Sequence, residues 1–162
     1  MMLKPTSLQN HLIAANPDLR QNPDKLLVFA DEGNVVATGS GSLSFEYRYK
    51  LNIILTDYSG DPDAIIVPLL AWIALHQSDL LNNPTLRQTG IGFDVDFNNH
   101  ETIDLSLKLD LTERVIVKRE GGRLAIRHPP EAQPTPDYSD DFWALYQGES
   151  LLAEWHTPVQ LA

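Results

Sequence analysis

The clearest pattern in the chain is an alternation of apolar and polar residues between positions 43 and 56. Apolar side chains occupy every odd position from Leu43 to Leu55, and polar ones occupy the even positions except Ile54. This period of two predicts a β-strand with one buried and one wet face, which is typical of antiparallel sheets. Fourteen residues would span roughly 45 Å at about 3.3 Å per residue, so we expect the strand to bend or to project from the core as one arm of a hairpin.

The same alternation predicts two hairpins in the second half of the chain. Residues 91–97 and 103–111 form the first, joined by residues 98–101, whose asparagines tolerate positive φ. Residues 112–118 and 123–127 form the second, around the glycine pair between them.

Shorter and less regular strands are predicted upstream of the long one. Residues 25–30 have the composition of a buried strand, residues 31–34 that of a turn, and residues 35–38 that of a short strand. The Gly-Ser-Gly-Ser stretch at 39–42 is expected to be a flexible joint.

A first helix is predicted near the N-terminus, because Pro5 suits a first turn and either Thr6 or Ser7 can cap it. The apolar residues that share one face of it are Leu8, Leu12 and Ile13. The helix should end at residues 16–18, because the residue before a proline disfavours the α region.

A second helix is predicted from about Pro62 to Leu80, with Asp61 as its N-cap. The residues of its apolar stripe are Ile65, Leu69, Trp72, Ile73, His76 and Leu80. We expect Trp72 to face the apolar side of the sheet.

The C-terminal part has a different composition. Four prolines between residues 129 and 141 predict an extended acidic linker, and residues 142–162 contain the pattern of a small hairpin. Its aromatic residues are Phe142, Trp143, Tyr146 and Trp155. A lone hairpin cannot bury that many aromatic rings, so we expect these four to dock on a partner or, as the less favoured alternative, on the hairpin's own subunit.

These elements together predict an α+β fold. It is a mainly antiparallel sheet with two helices packed on one face, plus a C-terminal β-hairpin after a proline-rich linker. The expected domain organisation is an α+β domain over residues 1–128, a linker over 129–141, and the hairpin over 142–162.

Composition and charge exclude several classes of protein. The chain has 43% apolar residues, which fits a globular domain, and no cysteine, which excludes disulfides, thiol catalysis and cysteine-ligated metals. The longest apolar run, about a dozen residues around Pro68, is too short for a membrane span, and the N-terminus lacks the apolar core of a signal peptide. A net charge of −10 disfavours binding to nucleic acid, and only residues 101–130 are locally positive.

No pattern in the sequence predicts catalysis, a cofactor or a metal. Residues 39–44 lack the third glycine of a dinucleotide fingerprint and the lysine of a P-loop. The five histidines fall in five different elements, and no Gly-x-Ser-x-Gly elbow is present. The aspartates of residues 57–63 are better explained by helix capping than by cation binding. The aromatic residues near Arg48 are better explained by core packing than by base stacking.

Several segments in order along the chain resemble the tail completion protein R family of Peduovirus-like contractile-tailed phages. The most specific are Ser42-Leu-Ser-Phe-Glu-Tyr-Arg-Tyr-Lys-Leu-Asn52, Thr56-Asp-Tyr-Ser-Gly-Asp61 and Ile66-Val-Pro-Leu-Leu-Ala-Trp72. Others are Met2 to Leu8, Asn22-Pro-Asp24, Phe29, Asp31, Gly33, Asn98-Asn99, residues 103–109, Leu111-Thr-Glu-Arg114, the proline-rich linker, Leu145-Tyr146, Gly148-Glu149 and Trp155.

The resemblance implies a structural virion protein rather than an enzyme, with no catalytic residue and no cofactor. It implies a homo-oligomer, a hexameric ring by analogy with tail terminators, that caps the tail tube and sheath and presents a surface for head–tail joining. Its partners would be tube, sheath and connector proteins, with DNA passing through the ring without sequence-specific binding. It would be assembled in the host bacterial cytoplasm and lie at the head-proximal end of the virion tail, away from any membrane. Two alternative functions remain: a small protein-binding adaptor that uses the aromatic hairpin, and an enzyme whose site is assembled only in the tertiary structure.

Overall fold

The computed structural model describes residues 2–131 and 142–156. Its helices are α1 (Lys4–Ala15), α2 (Pro17–Gln21), α3 (Asp63–His76), α4 (Asp79–Asn82) and α5 (Leu86–Thr89), with one 3₁₀ turn (Pro23–Lys25). Its strands are β1 (Leu26–Gly39), β2 (Ser42–Tyr58), β3 (Ile91–Phe97), β4 (Ile103–Glu120), β5 (Arg123–Arg127), β6 (Phe142–Gln147) and β7 (Ser150–His156). The predicted α+β class is confirmed.

The main sheet is antiparallel throughout, in the order β1-β2-β4-β3, and β5 pairs with the distal part of β4. Because β2 occupies one side of β4, β3 and β5 share the other side, with β3 opposite residues 103–109 and β5 opposite residues 116–120. The predicted long strand is β2, and both predicted hairpins in the second half are present. Residues 103–111 and 112–118, predicted as two separate strands, form a single long strand, β4, which runs without a break through Thr112.

The core lies between one face of this sheet and the helices α1 and α3. The predicted stripe of α3 is buried from Ile65 to His76, and Trp72 is fully buried in a cluster that includes Leu107 and against which Tyr47 packs. The indole Nε1 of Trp72 donates to the Ser7 hydroxyl at 3.1 Å, which joins α3 to α1. The prediction that Trp72 belongs to the core is confirmed.

The region before β2 differs from its prediction. Residues 25–30 were expected to form a buried strand, but β1 is an edge strand in which only Leu26 is buried. The expected turn at residues 31–34 is a bulge within β1, where Glu32 has a positive φ of 49° and the register shifts between Asp31 and Asn34. The polar residues are accommodated because a bulge leaves an extra residue unpaired, and Asp31 accepts from the Asn52 amide at 2.8 Å. The Gly39–Ser42 joint is the turn between β1 and β2.

The helix ends also differ from the predictions. Neither Thr6 nor Ser7 caps α1. The helix begins at Lys4, and the side chain of its N-cap residue, Leu3, makes no capping hydrogen bond. Helix α3 ends at His76 rather than Leu80. The next residue, Gln77, is held by the sheet instead: its Oε1 accepts from the Thr112 backbone N–H, and its Nε2 donates to Thr112 Oγ1. The short helices α2, α4 and α5 were not predicted, since each is too short for an apolar period to appear.

The C-terminal hairpin is present as β6 and β7. Most of the proline-rich linker lies outside the described residues. Within the described part of the chain, no helix has the length and apolar character needed to cross a membrane.

Candidate functional site

The apolar face of the sheet is longer than the helical layer that covers it. In β2, Tyr49, Leu51, Ile53 and Leu55 are buried beneath the helices, whereas Leu43 on the same face is 63% exposed. The structure therefore leaves apolar sheet surface uncovered, which marks an interaction surface more often than a defect.

The first uncovered surface is the distal part of the sheet, which we call the arm (residues 33–45 and 114–127). Register places Val35 beside Tyr47 and Ile126 beside Val117, so these side chains continue the face that is buried elsewhere. The exposed apolar residues on this face of the arm are Val35, Leu43, Leu124 and Ile126. The arm has no helix over it among the described residues.

The second uncovered surface lies at the opposite end of β4, and we call it the β3 end (β3 with residues 57–63 and 98–104). Phe93 and Phe97 pair with Leu107 and Ile103 on the core face, yet they are 71% and 81% exposed. A groove of about 270 Å³ runs beside Phe97, between the loop at residues 58–62 and the turn at residues 99–103. Sequence reasoning predicted these phenylalanines as an apolar face but missed that they are left exposed.

The four aromatic residues of the C-terminal hairpin, which are the predicted docking residues, differ in their exposure. Strand β7 of the hairpin lies against α1 and α3, with Ala153 fully buried, and the Trp155 ring meets His11 edge to face at 6.5 Å. The other three are more than half exposed: Phe142, Trp143 and Tyr146. The hairpin thus contacts its own subunit through Trp155 and presents the remaining rings to solvent.

A buried polar cluster lies where the arm begins, and sequence reasoning missed it. Glu113, only 4% exposed, projects from the core face of β4 and accepts from the backbone N–H groups of Leu3 and Lys4 at 3.0 and 2.8 Å. It also accepts from the Tyr49 hydroxyl at 2.9 Å. A carboxylate at a helix N-terminus satisfies free N–H groups and interacts favourably with the helix dipole. Glu113 therefore supplies the cap that α1 lacks locally.

The Lys4 ammonium completes this cluster and ties down the segment that leads into the linker. Lys4 Nζ donates to Gln77 Oε1 at 2.8 Å and to Glu131 Oε1 at 2.9 Å, while His128 Nδ1 lies 3.4 Å from Glu113 Oε2. Burial raises the pKa of Tyr49, and the Glu113 charge and hydrogen bond raise it further. The sequence contains one indication of this cluster: Glu113 is an acid at a position of the alternating pattern, between Leu111 and Val115, where an apolar residue is expected.

This cluster is arranged to hold segments together rather than to perform chemistry. The cavity it encloses is about 20 Å³, room for about one water molecule. Burial lowers the pKa of His76 to about 4, with Lys4 and His11 contributing, so the ring is neutral near pH 7. Over residues 2–131 and 142–156, no three histidine, aspartate or glutamate side chains gather closely enough to hold a metal ion.

Comparison with known proteins adds an independent observation. The model of the family described as P2 phage tail completion protein R (GpR) matches residues 2–132 of this chain. The tail completion protein R of Escherichia phage P2 is 40% identical over 154 residues, which cover 95% of this chain and 99% of that protein. No solved structure matches the chain.

Proposed function

This chain belongs to the tail completion protein R family of phage P2, and from that premise we propose that it ends tail assembly by capping the head-proximal end of the tail as a ring. Its role is structural: it completes the phage tail, belongs to the virion and contacts other tail components. The finer proposal is a ring of six copies that closes the tail tube and sheath. Its outer surface would then receive the connector of the head.

The observation that carries this proposal is the pair of uncovered apolar surfaces at opposite ends of β4. A closed ring needs two different patches that meet head to tail, and a chain with only one patch would form a symmetric dimer instead. The arm exposes Leu124 and Ile126, and the β3 end exposes Phe93 and Phe97. In this arrangement residues 1–128 form the body of each subunit, and residues 142–162, joined by the linker 129–141, are a docking element.

The charge of the chain suits a channel for DNA. A net charge of −10 repels the phosphate backbone, so DNA could pass through the ring without adhering to it. A scaffold of this kind needs no catalytic site, consistent with a polar cluster whose bonds hold α1 and β4 together.

The experiment is complementation of a phage that lacks this gene. Without the protein, negative-stain images should show tails without a terminal cap and unjoined heads, and the wild-type chain supplied in trans should restore joined particles. Light scattering of the purified protein, free and mixed with uncapped tails, then measures the ring. Normal particles without the protein, or only monomer in both conditions, would contradict the proposal.

The alternative, a small adaptor module, is favoured by one observation only. Phe142, Trp143 and Tyr146 are exposed together on the C-terminal hairpin, as expected of a contact surface. An adaptor would remain a monomer at high concentration and would lose its partner when residues 137–162 are deleted. The proposed tail cap, in contrast, would form an oligomer when the protein is mixed with uncapped tails.

A further inference from the structure

Acidic and basic side chains are segregated at the two ends of β4. Asp104 at one end and Arg119 near the other are 15 residues apart along the strand, or roughly 50 Å at about 3.3 Å per residue. That separation exceeds the Debye length of about 8 Å at physiological ionic strength several times over. The two ends therefore present independent electrostatic surfaces.

The β3 end is strongly acidic. Residues 57–63 and 91–104 contain no lysine or arginine. Their acidic residues are Asp57, Asp61, Asp63, Asp94, Asp96, Glu101 and Asp104. Asp96 even lies directly opposite Asp104 across the β3–β4 pair. Like charges in that position are destabilising, so the pairing of Asp96 with Asp104 does not itself stabilise the fold.

The arm has the opposite charge. Residues 114–127 hold a single acid, Glu120, although the chain as a whole carries 22 acidic and 12 basic residues. The basic residues of the arm are Arg114, Lys118, Arg119, Arg123 and Arg127, and all are exposed. Its other half, residues 33–45, has no charged residue at all.

Each end carries exposed apolar side chains on the core face of the sheet and charges of one sign mainly on the opposite face. The arm offers Leu124 and Ile126, which are 60% and 67% exposed, and the β3 end offers Phe93 and Phe97 beside the 270 Å³ groove. Exposed apolar residues at the same end of a sheet as charges of one sign are the composition expected of a protein–protein interface. Two such surfaces of opposite sign are complementary to each other and each repels its own copy.

We propose that the arm of one subunit docks on the β3 end of the next copy of the same chain. With the two sheets side by side at β5 and β3, which each pair only with β4 among the described strands, Leu124 and Ile126 would lie next to the neighbour's exposed phenylalanines on one face. The basic residues would lie next to the neighbour's acids on the other face. The contact is head to tail, because like-charged ends disfavour the symmetric alternative, and head-to-tail contacts generate rings when the rotation closes. This inference rests on the proposed ring and specifies which surfaces form it.

Two charge-reversed variants test the contact. The first is Lys118→Glu/Arg127→Glu in the arm, and the second is Asp94→Lys/Asp96→Lys at the β3 end. Within residues 2–131 and 142–156, none of these four side chains has a hydrogen bond or ion pair, and all are exposed, so thermal melting should match the wild type. Each variant alone should self-associate at least tenfold more weakly than the wild type in light scattering and should cap few tails.

Recombining the two variants gives the decisive measurement. A mixture of both should assemble again, because the reversed arm of one fits the reversed β3 end of the other in an alternating ring. The chain that carries all four substitutions should assemble by itself. A matched control, Arg87→Glu/Lys108→Glu, changes the net charge by the same amount as the arm variant. Its new acids lie beside β3, at the end that is already acidic, so it should assemble like the wild type.

The outcomes separate this inference from the proposed function. Wild-type assembly that persists in both single-surface variants, or that is lost in them and not regained in the mixture, would overturn the arm-to-β3 contact while leaving the ring itself standing. Loss in the Arg87→Glu/Lys108→Glu control as well would show a general charge effect and also overturn it. A wild-type chain that forms no ring, free or on tails, would contradict the proposed function directly.

Discussion

Acidification should destabilise this protein through a neutral buried histidine. His76 is 2% exposed in the last turn of α3, with its ring centroid 4.6 Å from that of Trp72. Burial is the main cause that lowers its pKa to about 4, and the nearby Lys4 ammonium and His11 contribute. Its Nε2 has no hydrogen-bond partner among the described residues, so no acceptor bonded there offsets the cost of a proton.

The size and sign of the effect follow from the two protonation equilibria. An unfolded histidine titrates near 6.5, so between pH 6.5 and 4 the unfolded chain binds a proton that the folded chain does not. The stability is therefore complete above pH 6.5 and falls as the pH is lowered toward 4. The difference between a pKa of 6.5 unfolded and about 4 folded, at about 1.36 kcal/mol per tenfold change, gives about 3 kcal/mol lost by pH 4. Burial also lowers the pKa of His11, which adds a loss of the same sign.

Urea unfolding at several pH values between about 7.5 and 4.5, for the wild type and for His76→Phe, isolates this contribution. The phenyl ring keeps the packing against Trp72 and cannot titrate, whereas carboxylates and His11 titrate in both proteins. The wild type should lose about 2–3 kcal/mol more than the variant over this range. Parallel pH profiles for the two proteins would refute the argument, because they would show that His76 is protonated without cost in the folded state.

Three further predictions concern the core, the polar cluster and the hairpin. Trp72→Ala should lower the free energy of unfolding by about 3–5 kcal/mol; a denaturation midpoint that hardly moves would place the indole outside the core. Glu113→Ala leaves two backbone N–H groups and the Tyr49 hydroxyl without their buried acceptor, so about 3–5 kcal/mol should be lost, and a change below about 1 kcal/mol would argue against the cap. Deleting residues 137–162 should leave a cooperative unfolding transition but impair tail completion; loss of cooperativity would assign the hairpin to the core, and normal tails would make it dispensable.

The strands and the main helices could be predicted because their periods are long enough to be unambiguous. β2 holds a period of two over its whole predicted length, and α3 holds its apolar stripe from Ile65 to His76. The errors lie where a local signal competes with a tertiary contact. Asp31 to Asn34 has the composition of a turn, yet pairing of the flanking residues with β2 keeps it within β1 as a bulge.

The interaction surfaces could be predicted only in part for a similar reason. Alternation identifies Phe93 and Ile126 as members of an apolar face, but it cannot tell how far along the sheet the helices extend. The sequence does contain the charge segregation that distinguishes the two ends, since residues 101–130 are its only locally positive stretch. Register was needed to show that the acids at 101–104 and the basic residues at 114–127 lie at opposite ends of one strand.

Glu113 lies at the point on β4 where the helical layer over the sheet ends and the uncovered arm begins. Up to Leu111 the core face of β4 is apolar and covered by helices, and beyond Val115 it continues as the uncovered arm. Between them, one buried carboxylate caps α1 and lies beside His128, in the segment that leads to the linker. Breaking such a buried cluster is costly even where forming it contributes little net stability. The helical layer is thereby held at one place on β4, which leaves a fixed length of strand uncovered for the contact proposed above.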